Sequence, residues 1–217
     1  MEKKESPKSE NAAKPKISGL SSRAFSIIKL ALGVCLLPLV YSVSVSFFNE
    51  FSRLESPLRN YFWLGIISLL IIYLFVWEPA IIYAKGQKLL ELFFSFFKPL
   101  VRVAPYLLPI YTIVLFILYG AFSFFFKSEG VIKFFLFLFG FSIGLHLVFS
   151  AKSIRSKQGD FLKANYIFGF SFIYILNLAL LSLFLNFIFG NFSFVSFSNN
   201  SFQAAGNILY AVFKQLF

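Results

Sequence analysis

Residues 77–112 read WEPAIIYAKGQKLLELFFSFFKPLVRVAPYLLPIYT, and six charged side chains interrupt this otherwise apolar stretch: Glu78, Lys85, Lys88, Glu91, Lys98 and Arg102. It also holds four of the chain's eight prolines, Pro79, Pro99, Pro105 and Pro109. A charge at bilayer depth costs about 2.5–3.5 kcal/mol on insertion scales, so such residues face protein or water and mark the first place to look for a site. Elsewhere the polar groups able to do chemistry are few. His146 is the only histidine and Cys35 the only cysteine, while Asn177 sits within a long apolar run. Nothing resembles a phosphate-binding glycine loop, a CxxC pair or a Ser/His/Asp set.

The elements that must position these residues are membrane helices. The 217 residues are 59% hydrophobic and 21% aromatic, with mean hydropathy +0.80, against roughly 45–50% apolar in soluble domains. The composition predicts an all-α polytopic membrane protein. Its net charge of +11 does not point to nucleic acid. The lysines and arginines lie between apolar runs, where topology and anionic headgroups of the lipid bilayer account for them.

In order, residues 1–23 are polar and predict a disordered basic cytoplasmic tail. Residues 24–189 predict the helical transmembrane domain, with spans at 30–48, 61–77, 106–126, 131–151 and 165–189. Pro38 predicts a kink in the first span. Tyr61, Trp63 and Trp77 mark the interfaces of the second. KSEG at 127–130 predicts a tight turn. Residues 190–217 predict a C-terminal tail whose end, from 202, has the apolar spacing of an interfacial helix. No signal peptide is expected, because no small-x-small cleavage site follows the first apolar run.

Orientation follows from the basic residues. If 78–102 does not cross completely, seven in the N-terminal region, four in 78–102 and four in 152–163 share one side, fifteen against five. That predicts a cytoplasmic N-terminus, an outside C-terminus, and about five spans plus a partly inserted or re-entrant helical segment. A full crossing by residues 80–97 would put the basic 152–163 loop outside.

The central stretch resembles a bacterial branch of the site-2-protease-like intramembrane zinc metallopeptidases. Members carry a W-x-P-like start, then G-H-E-L-T-H, then A-P-Y-F-F-P-L-Y-T. Here stand Trp77-Glu78-Pro79, then Gly86-Gln87-Lys88-Leu89-Leu90-Glu91, and then Ala104-Pro105-Tyr106-Leu107-Leu108-Pro109-Ile110-Tyr111-Thr112. LALGVCLLPLVYSV at 30–43, GLHLVFSAKSIRSKQGDFL at 144–162 and residues 174–178 are similar to further stretches of that family, so the likeness covers roughly 30–185. It implies a location in the bacterial inner (plasma) membrane.

The departures decide the chemistry. An H-E-x-x-H helix binds zinc through two histidines four apart while its glutamate handles the proton of the activated water. In register, Gln87 replaces the first histidine, Lys88 the glutamate and Glu91 the second histidine. An amide is a poor zinc ligand, and an ammonium repels the metal and accepts no proton. The segment joining this helix to A-P-Y, associated in the family with a small β element, is also shortened. The resemblance with these losses implies a catalytically inactive relative with no catalytic residue and no cofactor.

Residual zinc binding would need three ligands from His, Cys and carboxylate, and Glu91, Glu78 and His146 are the only set at hand. The structural alternative pairs Glu91 with Lys88 one turn back, followed by solvated interfacial placement. His146 is either a metal-site or proton-relay residue by resemblance, or a neutral imidazole hydrogen-bonded across a helix interface near Gly140 and Gly144, which is favoured. Asn177 is read as bonding a neighbouring helix, Cys35 as a small buried apolar residue, and Asp160 as a turn or cap. Pro105 and Pro109 should break the start of the 106–126 span; in the family they would flank the cavity.

Three functions compete. The first is a pseudo-protease acting as a membrane scaffold or regulator that binds a membrane protein or peptide. The second is a residual metal-binding membrane hydrolase, which requires Glu78, Glu91 and His146 to converge. The third is a small membrane transporter or lipid-binding protein with a polar path beside Lys88 and Arg102.

Overall fold

A computed structural model describes residues 17–126, 128–156 and 166–216. The elements are α1 (Ile17–Phe51), α2 (Ser56–Ile71) prolonged by a π-helical turn (Ile72–Val76), α3 (Ala80–Phe93), α4 (Lys98–Leu107), α5 (Ile110–Phe125), α6 (Glu129–Ser156), α7 (Tyr166–Ile188) and α8 (Phe194–Leu216), with no strand among the described residues. Four helical stretches are long and apolar enough to cross a membrane: Ile27–Phe51, Ser56–Val76, Glu129–Arg155 and Tyr166–Ile188. Helices are the solution lipid imposes, because each backbone group must be satisfied within its own segment.

Several expected boundaries move. Residues 17–23, expected in a disordered tail, extend α1, since each added residue contributes a helical hydrogen bond once the helix exists. The helix runs through Pro38 without interruption. The expected 106–126 span is shorter at its start: α4 ends at Leu107, Pro109 intervenes, and α5 is a 16-residue apolar helix below the length of the other four. Cys35, expected to be buried, is exposed on α1. Burial statistics from soluble proteins placed it inside, but facing lipid costs a thiol nothing. Lys127 of the KSEG turn, the 157–165 part of the basic loop with Asp160, and the side chain of Arg102 lie outside the described residues.

The tightest packing joins α2 to α6. A Cβ built on Gly65 would lie 2.0 Å from the Phe137 carbonyl oxygen, and one on Gly140 would lie 2.0 Å from that of Phe62. Two backbones therefore touch, which only glycine permits. Further along, Tyr73 meets Phe149 edge-on at 5.7 Å, so the two helices run parallel. The main core gathers Phe47, Phe51, Phe62, Phe139, Leu181 and Phe192 from α1, α2, α6, α7 and the α7–α8 turn.

α8 differs from the expected interfacial helix. It begins eight residues earlier, at Phe194, and packs along α1. Glu50, 1% exposed, holds the corner: its Oε2 accepts from Ser193 N at 3.2 Å and pairs with Arg53 at 3.1 Å, while Asn191 donates to the Arg53 carbonyl at 2.9 Å. Ser193 Oγ and Asn186 Oδ1 accept from the backbone N–H groups of Ser196 and Phe194. A carboxylate and two polar oxygens thus cap the N-terminus of α8. Starting beside the C-terminal end of α1 and lying along it, α8 runs antiparallel to α1.

Candidate functional site

The site is built on a broken helix. Pro109 has no N–H and biases Leu108 toward extended backbone. Leu108 indeed has φ −96° and ψ 125°, and α4 stops. The N–H of Ile110, which a continuous helix would give to the Tyr106 carbonyl, turns to the Leu108 carbonyl at 3.0 Å. The Tyr106 carbonyl is left without its helical donor in the interior of the bundle, where an unmet acceptor is costly.

Side chains from α6 and α7 make good the loss. His146 Nε2 lies 3.1 Å from the Tyr106 oxygen, and Ser150 Oγ donates to the same oxygen at 3.2 Å. These two residues are four apart, on one face of α6. Asn177, fully buried in α7, donates through Nδ2 to the Leu107 carbonyl at 3.0 Å and to the Ile173 carbonyl at 2.8 Å. Hydrogen-bond directions then follow by elimination. A carbonyl only accepts, so His146 carries its proton on Nε2 in this contact and the Ser150 hydroxyl points at Tyr106. The Tyr83 hydroxyl shares a hydrogen bond of 3.0 Å with Ser150 Oγ and accepts from Gln87 Nε2 at 2.9 Å, so Gln87 is joined through Tyr83 and Ser150 to the broken end of α4.

α3 is pressed against this end. A Cβ on Gly86 would come within 2.8 Å of Ile110 Cγ2 and Tyr111 Cε2, and the Tyr111 hydroxyl donates to the Ile82 carbonyl. Thr112 and Ser142 share a hydrogen bond of 2.9 Å one turn above. What remains is a narrow cleft lined by Tyr83, Gln87, Pro105, Leu108, Tyr111 and His146, among others, with room for about one water molecule.

The residues singled out by sequence therefore divide. Gln87, Pro105 and His146 line this cleft, Asn177 caps the next carbonyl, and Pro109 makes the break. Pro105 itself stays within α4. Lys88 and Glu91 are exposed on the other side of α3, and no ion pair joins them among the described residues. The buried face of α3 is Tyr83, Gly86 and Leu90, and one-turn spacing placed Lys88 and Glu91 off it together without forcing them to meet. Glu78 lies at the corner before α3, paired with Lys152 of α6.

Gly140 and Gly144 serve the α2 contact and do not shape the surroundings of His146. Tyr83 and Ser150, central to the network, carried only a faint signal: each stands four residues from a polar partner, Gln87 and His146.

Among the described residues no three His, Cys, Asp or Glu side chains converge, so Glu78, Glu91 and His146 do not form the set the residual-hydrolase reading needs. The Nε2 of His146 is directed at a backbone carbonyl. Comparison with known protein families, characterised proteins and solved structures finds no match.

Proposed function

We propose that this chain is a non-catalytic relative of the site-2-protease-like intramembrane peptidases, a scaffold or binding protein of the bacterial inner membrane that takes no metal. The observation that carries this reading is the use made of His146, Ser150, Asn177 and Gln87. Their donors are spent, directly or through Tyr83, on the carbonyls of a broken helix. Where the family would hold zinc and a base, Gln87 supplies an amide and Lys88 an exposed ammonium.

In this reading α1, α2, α5, α6 and α7 cross the membrane with the N-terminus in the cytoplasm, and α8, antiparallel along α1, returns toward the cytoplasmic side in place of the outside C-terminus the sequence predicts. The α3–α4 hairpin is partly inserted from the cytoplasmic side. Its helices have 14 and 10 residues, too few to cross. Around its turn Leu89, Leu92, Phe93 and Phe96 are exposed beside Lys85, Lys88 and Lys98, the mixture suited to the interface of an anionic leaflet. The transporter reading gains nothing from the cleft, whose size admits about one water and no polar path.

Metal analysis of the detergent-purified protein, with Glu91→Ala and His146→Ala alongside, tests the proposal. No stoichiometric zinc and no chelator-sensitive cleavage of a membrane peptide are expected. Stoichiometric zinc that both substitutions abolish would overturn it.

A further inference from the structure

The outward face of α8 sets four amides among exposed apolar side chains, Val195, Phe202, Tyr210 and Phe213, where residues 27–45 of its neighbour α1 carry no amide. Phe197, Ser201 and Ala205 are buried toward the bundle, and Phe197 shares a core cluster with Val43 and Phe47 of α1. On the opposite face Asn199, Asn200, Gln203 and Asn207 are exposed, and none of these amides has a hydrogen-bond partner among the described residues. From Phe197 to Asn207 the helix advances about 15 Å, antiparallel to α1. The amides therefore lie beside the apolar stretch Ile27–Phe51, whose own outward side chains at these levels are Val34, Leu37, Tyr41 and Val45. If α1 is at acyl-chain depth, so are the amides, and an amide there needs a partner.

We infer that this face of α8 is where two copies of the chain associate, α8 against α8. A primary amide offers both donors and an acceptor, so each one can pair with its own copy across a two-fold axis. An axis along the membrane normal keeps both copies in the same orientation and lets Asn199, Gln203, Gly206 and Tyr210, a stripe of nearly one direction at 100° per residue, meet their counterparts. A Cβ on Gly206 would have nothing within 4 Å, so a second backbone can approach closely there. The stripe carries no acid and no base. Lys214 comes a turn later, at the end of α8 directed toward the N-terminal end of α1, the side proposed to be cytoplasmic, which raises the basic count there from fifteen against five to sixteen against four.

The test uses the full chain in bilayer nanodiscs or vesicles, with Cys35→Ala to remove the only native thiol. Oxidation of single cysteines placed at 199, 203, 206 and 210 should give covalent dimers, whereas Ser201→Cys on the buried face and Ile117→Cys on α5 should not. Replacing Asn199, Gln203 and Asn207 together by leucine should weaken dimerisation at least roughly tenfold, from loss of several interhelical hydrogen bonds, with helix content unchanged. A monomeric parent protein, a triple variant that dimerises undiminished, cross-linking at 201 or 117 instead, or rapid labelling of the 203 and 206 cysteines by a membrane-impermeant maleimide would each overturn the inference. A covalent adduct with a different protein in place of the dimer would do so as well.

Discussion

α6 holds the molecule together by two contrasting seams. Against α2 it offers Gly140, and the two backbones touch with no side chain between them. Against α4 it offers His146 and Ser150, whose polar atoms reach out to a carbonyl. The difference lies in the partner helix. α2 is regular where it crosses α6, so its backbone bonds are satisfied internally and the seam can be dry and close. α4 is interrupted by Pro109, and its loose acceptors must be met from outside. In an apolar medium an intact helix asks its neighbour only for shape, and a broken one asks for donors.

The largest effect should come from closing the dry seam. Gly140→Ala places a methyl group 2.0 Å from a backbone oxygen that no rotamer change can move, and overpacking of this kind should cost about 3 kcal/mol or more, read as lost thermal stability in detergent. Gly144→Ala sharpens the point. Its Cβ would meet the tip of the Leu69 side chain at 2.9 Å, which can rotate away, so the loss should stay below about 1.5 kcal/mol. Equal losses from the two alanines would show that the backbone contact is not what closes this seam.

The polar seam should respond differently, through coupling. His146→Leu alone leaves the Tyr106 carbonyl the Ser150 donor and should cost less than about 1 kcal/mol, whereas Ser150→Ala also removes a partner of the buried Tyr83 hydroxyl and should cost about 1–2 kcal/mol. The double variant removes both side-chain donors and should cost more than the sum of the two. His146→Gln, which keeps a donor, should recover part of that cost in the Ser150→Ala background. Additive losses in equilibrium unfolding from mixed micelles would mean that the two side chains do not share one acceptor. Asn177→Leu, which removes the donor to Leu107, should cost about 1–2 kcal/mol on the same scale.

This contrast also explains what could be read from the chain alone. Apolar run length sufficed for the helical class and for the spans around residues 30–48, 61–77, 131–151 and 165–189, because hydrocarbon thickness sets helix length directly. Pro109 announced a break at its own position. The consequence, two carbonyls needing donors, became visible only when α6 and α7 were seen beside them. Ser150 and Tyr83 could not be told from the many other hydroxyls in apolar helices, since which face a residue occupies depends on neighbours far away in sequence. Glu50 falls between the first two predicted spans, and its burial as the cap of α8 follows only from where α8 begins. α8 itself is too polar for a hydropathy argument to place along α1, and Cys35 was misplaced by a rule about water-facing surfaces.

The smallest effects are expected where the resemblance to a zinc helix put its emphasis. Lys88 and Glu91 stand in register with a catalytic glutamate and a histidine, yet both are exposed and form no ion pair among the described residues. An exposed residue without a partner contributes within about 0.5 kcal/mol to stability. Lys88→Ala and Glu91→Ala should therefore leave the unfolding midpoint unchanged within that range, alone and together, and the double variant should show no coupling. Gln87→Ala, one residue away but turned inward, should be distinguishable from both, because it removes the donor to the Tyr83 hydroxyl. If Lys88→Ala or Glu91→Ala proved as damaging as the loss of His146 and Ser150, the outer face of α3 would be engaged with a partner as demanding as the broken helix is on the inner face.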